Sequence, residues 1–108
     1  MKLSELLYGV SVKNVIGDIQ SIEVNKVEFD SRKIQESDMF IAIKGVTVDG
    51  HDFVLKSIDL GARSVIIEEI PEDLNQNVCY VHVENSSIAM SVIASNYYDN
   101  PSEKIKLI

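Results

Sequence analysis

MFIAIKGVTVDGHDFVLKSIDLGARSVIIEE, residues 39 to 69, changes its hydrophobic period twice. It opens on Met39 to Ile43, an apolar run too short for a helix, which reads as a strand buried on both faces. Val54, Leu55, Ile58 and Ala62 then recur at helical spacing. Asp49 is placed to cap that helix and Gly61 to take the left-handed position that ends it, for a helix of about three turns. SVIIEE, residues 64 to 69, returns to a buried strand. Strand, helix and strand in this order are the unit from which parallel sheets are built.

Toward the C-terminus, Pro71 and the polar run PEDLNQN break the chain before another β segment, VCYVHV at 78 to 83. Asn85 or Ser86 opens a second long helix. In SIAMSVIASNYY, residues 87 to 98, apolar or small residues fall on nearly every face, so this helix is expected to be largely buried. DNPS ends it, and KIKLI, residues 104 to 108, is strand-like again. Toward the N-terminus, QSIEVNKVEFD, residues 20 to 30, alternates through Ile22, Val24, Val27 and Phe29. The step from Val24 to Val27 breaks period 2 and predicts a bulge or two short strands. Leu3 to Leu7 reads as a short amphipathic helix stopped by Gly9. Two β stretches between residues 20 and 43 with no helix between them favour a mixed sheet. The expected fold is therefore α/β: a three-layer sandwich with a mixed, mostly parallel sheet flanked by helices.

A chain of 108 residues, 45% hydrophobic and 25% charged, suits one soluble globular domain with a single core. No run approaches the roughly 18 apolar residues of a membrane-spanning helix, and the start MKLSELLYGVSV lacks the apolar segment and cleavage site of a secretory signal. The expected compartment is the cytoplasm, with no membrane partner. Cys79 lies inside VCYVHV and is expected to be a small buried residue, not a reactive thiol. A net charge of −7 argues against a nucleic-acid partner held by phosphate neutralisation. An anionic ligand would have to be gripped locally, by backbone N–H groups, hydroxyls and one or two placed cations.

Motifs of common enzyme classes are missing from the sequence: it has no GxxxxGK[ST] loop, GxGxxG, GxSxG, CxxC or HExxH. No catalytic set and no metal site is therefore expected. His82 reads as a strand residue and His51 as a polar residue of the first helical turn. Glu68, Glu69, Glu72 and Asp73 read as a solvated strand end and loop.

What remains is Asp30-Ser31-Arg32 and Lys44-Gly45 followed by VTV and DG. Both groups follow β runs, and α/β sheets commonly place ligands at the ends of their strands. If those strands are neighbours, one rim gathers an aromatic wall (Phe29), hydroxyls (Ser31, Thr47), backbone N–H groups beside Gly45 and the cations Arg32 and Lys44. Such a set suits a base plus a diphosphate. The alternative is structural: Arg32 pairs with Asp30, Asp38 or Asp49, Asp49 only caps the helix, and the hydroxyls satisfy turn backbone.

The ordered series FDSRKIQESDMFIAIKG, DGHDF, GARSVIIEE and YYDNPSEKIKLI resembles the N-terminal domain of the Mur ligase family, most closely its UDP-N-acetylmuramyl-tripeptide synthetase branch. It covers almost the whole chain beyond residue 24. The resemblance implies an ATP-dependent amide ligase of peptidoglycan synthesis that adds a diamino acid, meso-diaminopimelate or L-lysine, to UDP-N-acetylmuramoyl-L-alanyl-D-glutamate through an acyl phosphate. It implies that this domain binds the uridine diphosphate end of that precursor, with contacts at Phe29, Ser31, Val46, Thr47 and Val48 and possible support from Arg32 and Lys44. Because the family varies after Lys-Gly, Val46 and Val48 are expected to contribute backbone groups.

The family's G-T-N-G-K-T loop would follow a strand like KIKLI, where this sequence stops. Residues 1–103 are therefore expected to form the precursor-binding domain and 104–108 to begin a central ATP-binding domain. That tail is expected either to be disordered or to pair with an exposed edge. ATP and Mg2+, and the central and C-terminal domains as partners, belong to the parent enzyme, and the fragment alone is expected to be inactive. The alternatives are the N-terminal domain of the D-alanyl-D-alanine-adding Mur ligase and a non-catalytic α/β interaction or regulatory domain.

Overall fold

The computed structural model describes residues 1–43 and 50–98. Its strands are β1 (Val12–Ile16), β2 (Val27–Glu28), β3 (Met39–Ile41), β4 (Ser64–Ile67) and β5 (Cys79–Val83). Its helices are α1 (Leu3–Leu6), α2 (Val54–Asp59) and α3 (Ser86–Tyr98), with 3-10 turns at Ser31–Lys33 and Gly50–Phe53. Among the described residues the strands form a five-stranded sheet in the order β1-β5-β4-β3-β2. β2 to β5 run parallel, and β1 closes one edge antiparallel to β5.

Successive side chains of a strand point to opposite faces, and that alternation builds the two cores. Met39, Ile41, Ile66, Cys79, Val81 and Val83 pack with Leu3 and Leu6 of α1 and Ala89 and Ile93 of α3. Phe40, Ala42, Val65, Ile67 and Tyr80 pack with Val54, Ile58 and Ala62. Three layers result, as the sequence predicts. β3 and β4 are buried along their whole length, because each has strand neighbours on both sides and helices on both faces. Burying each large aliphatic side chain contributes about 1.5–3 kcal/mol. Cys79 is buried within the first core, and burial, together with the charge of Asp18, pushes its thiol up to about 11. It is the inert apolar residue expected.

Ser64 begins β4 fully buried, and its hydroxyl has no hydrogen-bond partner among the described residues. An unsatisfied buried hydroxyl costs about 1–3 kcal/mol. Ser64→Ala is therefore expected to raise the unfolding free energy by about 1 kcal/mol in a urea titration. A loss of stability would mean that the hydroxyl finds a partner in solution.

Several expectations need correction. β1 carries no alternation strong enough to read from sequence, since most of VKNVI is exposed on the sheet edge. The helix expected from Asp49 is a 3-10 turn followed by a six-residue α-helix with Phe53 at its N-cap position, and Asp49 lies outside the described residues. α3 is not largely buried: Ser86, Ala89 and Ile93 are, whereas Ile88 is 63% exposed. As an outer layer, it meets the sheet along one side only. Between residues 20 and 30, Lys2 bridges Glu23 and only Val27–Glu28 enters the sheet, which is the two-segment alternative. Residues 104–108 lie outside the described residues.

Candidate functional site

Ser31 sits on the connection from β2 to β3, and that connection is tied down by charges. Asp38, fully buried, accepts from the Gln35 N–H (2.8 Å) and Asn25 Nδ2 (3.2 Å). Lys26 Nζ lies 3.4 Å from the Asp38 carboxylate and donates to the Lys33 carbonyl (2.8 Å). Glu28 Oε1 accepts from the Phe29 and Asp30 N–H groups at 3.1 and 3.2 Å. Side chains satisfied in this way hold a short irregular segment in one geometry.

The next residues form a self-contained ion pair. Asp30 Oδ1 accepts from the Arg32 N–H and Nε, both at 3.0 Å, and Oδ2 accepts from Nη2 at 2.9 Å. Side-chain and backbone hydrogen bonds from Arg32 lower the Asp30 carboxyl to about 2, so it stays ionised at any physiological pH. Of the three carboxylates considered for Arg32, Asp30 is the partner. Arg32 thus has the structural role set out as the alternative.

An open cavity of ≈ 510 Å³ lies beyond this connection, lined by Phe29 to Arg32, Ile43, Gly50, Phe53 and Lys56. Phe29 is 65% exposed and Ser31 only 6%, so the ring stands open while the serine forms part of the wall. Three sequence-nominated residues, Phe29, Ser31 and Arg32, meet here. Lys44, Val46, Thr47 and Val48 lie outside the described residues. The described residues on either side of them, Ile43 and Gly50, line the cavity, and Gly50 N–H donates to the Ile43 carbonyl at 2.8 Å. A Cβ on Gly50 would stand 2.6 Å from Ile43 N, so only glycine permits this approach.

Sequence reasoning missed Phe53 and Lys56. Their signal was the position of DGHDF at the return of the chain from the rim. It also misread Glu68 as a solvated strand end. Glu68 Oε2 accepts from both the N–H and the hydroxyl of Ser86, each at 2.8 Å, beside the Asn85 side chain that caps Ile88 N–H. Glu68 therefore satisfies the first turn of α3. Its backbone is held as well, for His51 Nε2 accepts from Glu68 N–H (2.8 Å) and Glu69 N–H (3.2 Å) and His82 Nε2 meets Glu68 O (2.8 Å). A ring nitrogen that accepts carries no proton, so neutral His51 is protonated on Nδ1, and His82 donates through Nε2. This anchors the residue after Gly50 to the end of β4.

A second cavity, ≈ 550 Å³, lies near Gly9, Glu84, Asn85 and Ile88. It contributes a carboxylate and no cation, so it suits an anionic ligand less well than the Phe29 cavity. Among the described residues no three His, Cys, Asp or Glu side chains gather to hold a metal, and no helix is long and apolar enough to cross a membrane.

Comparison with known proteins supplies a family. Residues 23–98 match the family model described as "Mur ligase family, catalytic domain". The UDP-N-acetylmuramoyl-L-alanyl-D-glutamate--2,6-diaminopimelate ligases of Cytophaga hutchinsonii and Phocaeicola vulgatus are 42% and 37% identical, each over 100% of this chain. The chain spans 22% of the length of either relative. Among solved structures, MurF from Acinetobacter baumannii matches with a TM-score of 0.73 at 21% identity, over 88% of this chain and 20% of that one. At such identity the likeness supports the fold alone.

Proposed function

This chain belongs to the Mur ligase family, and from that premise we propose that it is the domain that holds the uridine diphosphate end of UDP-N-acetylmuramoyl-L-alanyl-D-glutamate. The parent is an ATP-dependent, amide-forming ligase of the cytoplasm that adds a diamino acid to the glutamate. The names of the relatives favour 2,6-diaminopimelate. The observation that carries the reading is one cavity at the ends of β2 and β3 lined by Phe29, Ser31, Ile43 and Gly50. Phe29 supplies a face for the base and Ser31 a hydroxyl. Thr47 and the backbone of Val46 and Val48 complete the set. The dipeptide-adding branch is the second reading, and the relatives that match over the whole chain, 37% and 42% identical and both named for 2,6-diaminopimelate, favour the diamino-acid branch.

The domain's part in the reaction is positional. Gripping one end of a long substrate fixes where its far carboxylate lies, so remote binding energy is used to orient the reacting group. The parent's ATP and Mg2+ would activate that carboxylate as an acyl phosphate. The chain spans 22% of the length of its diaminopimelate-ligase relatives, and this chemistry is assigned to the rest of the parent.

Phe29→Ala and Ser31→Ala in the full-length ligase are each expected to raise the KM for the UDP-linked precursor about tenfold, the equivalent of roughly 1.4 kcal/mol, with the KM for ATP unchanged. Phe29 is exposed, so its truncation leaves folding intact. Unchanged precursor KM in both variants would remove the site assignment.

A further inference from the structure

We propose that Lys56, and not Arg32, is the side-chain cation on the described wall of this cavity that binds the diphosphate of the nucleotide, so that Lys56 sets the preference for a nucleoside diphosphate over a nucleoside. The inference rests on the uridine-diphosphate reading above and adds to it the residue that meets the charge.

Two cations line the described part of the cavity, and their states differ. The guanidinium of Arg32 is already engaged by Asp30 through Nε and Nη2, and that carboxylate cancels its charge locally. An incoming phosphate at Arg32 would meet a neutralised pair with an exposed carboxylate edge, or would have to break a two-point contact. Asp30 has a second hold on its position, because it also accepts the Arg32 backbone N–H at the start of the 3-10 turn. The pair is thus built into the connection that carries Ser31.

Lys56 has none of these ties. Its ammonium makes no hydrogen bond or ion pair with any described residue, and Lys56, on α2, lines the same cavity as Phe29 and Ser31. Three rotatable donors on a flexible stem suit a diphosphate, whose oxygens lie in several directions. Two phenylalanines, Phe29 and Phe53, border the cavity as well, so apolar faces for the base and an unpaired cation occupy one space. In a protein of net charge −7, an unpaired cation on the described wall of the site also counters the general repulsion of an anionic ligand.

The test measures binding of UDP and of uridine to the full-length protein by titration calorimetry, in wild type and in Lys56→Gln, Arg32→Gln and Lys44→Gln variants. Wild type is expected to bind UDP more tightly than uridine, and increasingly so at low salt. Lys56→Gln is expected to weaken UDP about tenfold, leave uridine unchanged and flatten the salt dependence. Arg32→Gln should cost less. If Lys56→Gln keeps the UDP-to-uridine ratio, or if Arg32→Gln or Lys44→Gln alone abolishes it, the assignment of Lys56 is overturned while the uridine-diphosphate reading stands. If wild type binds neither compound, nor the UDP-linked precursor, the underlying reading fails instead.

Discussion

Gly61→Ala is expected to destabilise the protein by about 3 kcal/mol, lowering the Tm by roughly 10–25 °C. Two independent costs converge on this position. Gly61 holds φ +123, a conformation that L side chains rarely adopt. An added Cβ would also lie 2.7 Å from Glu36 Cα and 3.0 Å from Glu36 N, which are backbone atoms without a flexible way out. Its neighbours cannot retreat cheaply, because Ser37 N–H donates to the Gly61 carbonyl (2.9 Å) and Arg63 N–H to the Asp38 carbonyl (3.2 Å). The contact joins the end of α2 to the connection that carries Ser31, so loss of stability and loss of ligand affinity should appear together. Thermal unfolding followed by circular dichroism measures the first. A Tm within a few degrees of wild type would show that this connection is far softer than its hydrogen bonds imply.

Gly50→Ala is expected to act mainly on the site, weakening UDP binding about tenfold or more while costing about 1–2 kcal/mol of stability. Gly50 is not needed here for a left-handed backbone. It is needed because a methyl group would stand 2.6 Å from Ile43 N and 2.9 Å from Ile43 O. The Gly50 N–H to Ile43 O bond of 2.8 Å must then lengthen, and Ile43 and Gly50 separate on the cavity wall. A displacement of about 1 Å in a positioning element is enough to cost a large factor in a pre-organised site. Calorimetric titration with UDP, alongside an unfolding curve, separates the two effects. Wild-type affinity in a folded variant would show that the site does not depend on this closure.

Much of the sandwich was legible in advance because its decisive features are local. The apolar runs at Met39, Ser64 and Val78 each exceed what a half-exposed strand would carry, and all three became buried neighbours in a parallel sheet. The helical spacing after DGHDF and the glycine that ends it were equally readable. β1 was not, because an edge strand exposed along most of its length needs no distinctive pattern. α3 misled for the opposite reason: small and apolar residues on every side do not say which side meets the sheet, and Ile88 was left outside.

The candidate site divides in the same way. Phe29 and Ser31 could be nominated from sequence because they follow a β run, and strand ends are where α/β folds gather ligands. The partner of Arg32 was not legible, for three carboxylates of equal chemistry competed for it. The tight turn after Asp30 settled that choice by bringing Arg32 Nε within 3.0 Å.

By itself, then, the sequence determined the buried strands, the helical crossover between β3 and β4, and two sides of the cavity, since period and turn chemistry are properties of neighbours along the chain. Only the tertiary structure decided that Phe53 and Lys56 share a cavity with Phe29, that half-buried Glu68 caps α3, and that His51 and His82 meet on the end of β4. Those partners lie far apart in sequence. The sheet order sets which strand ends become neighbours, and many side chains of equal chemistry could have filled each place.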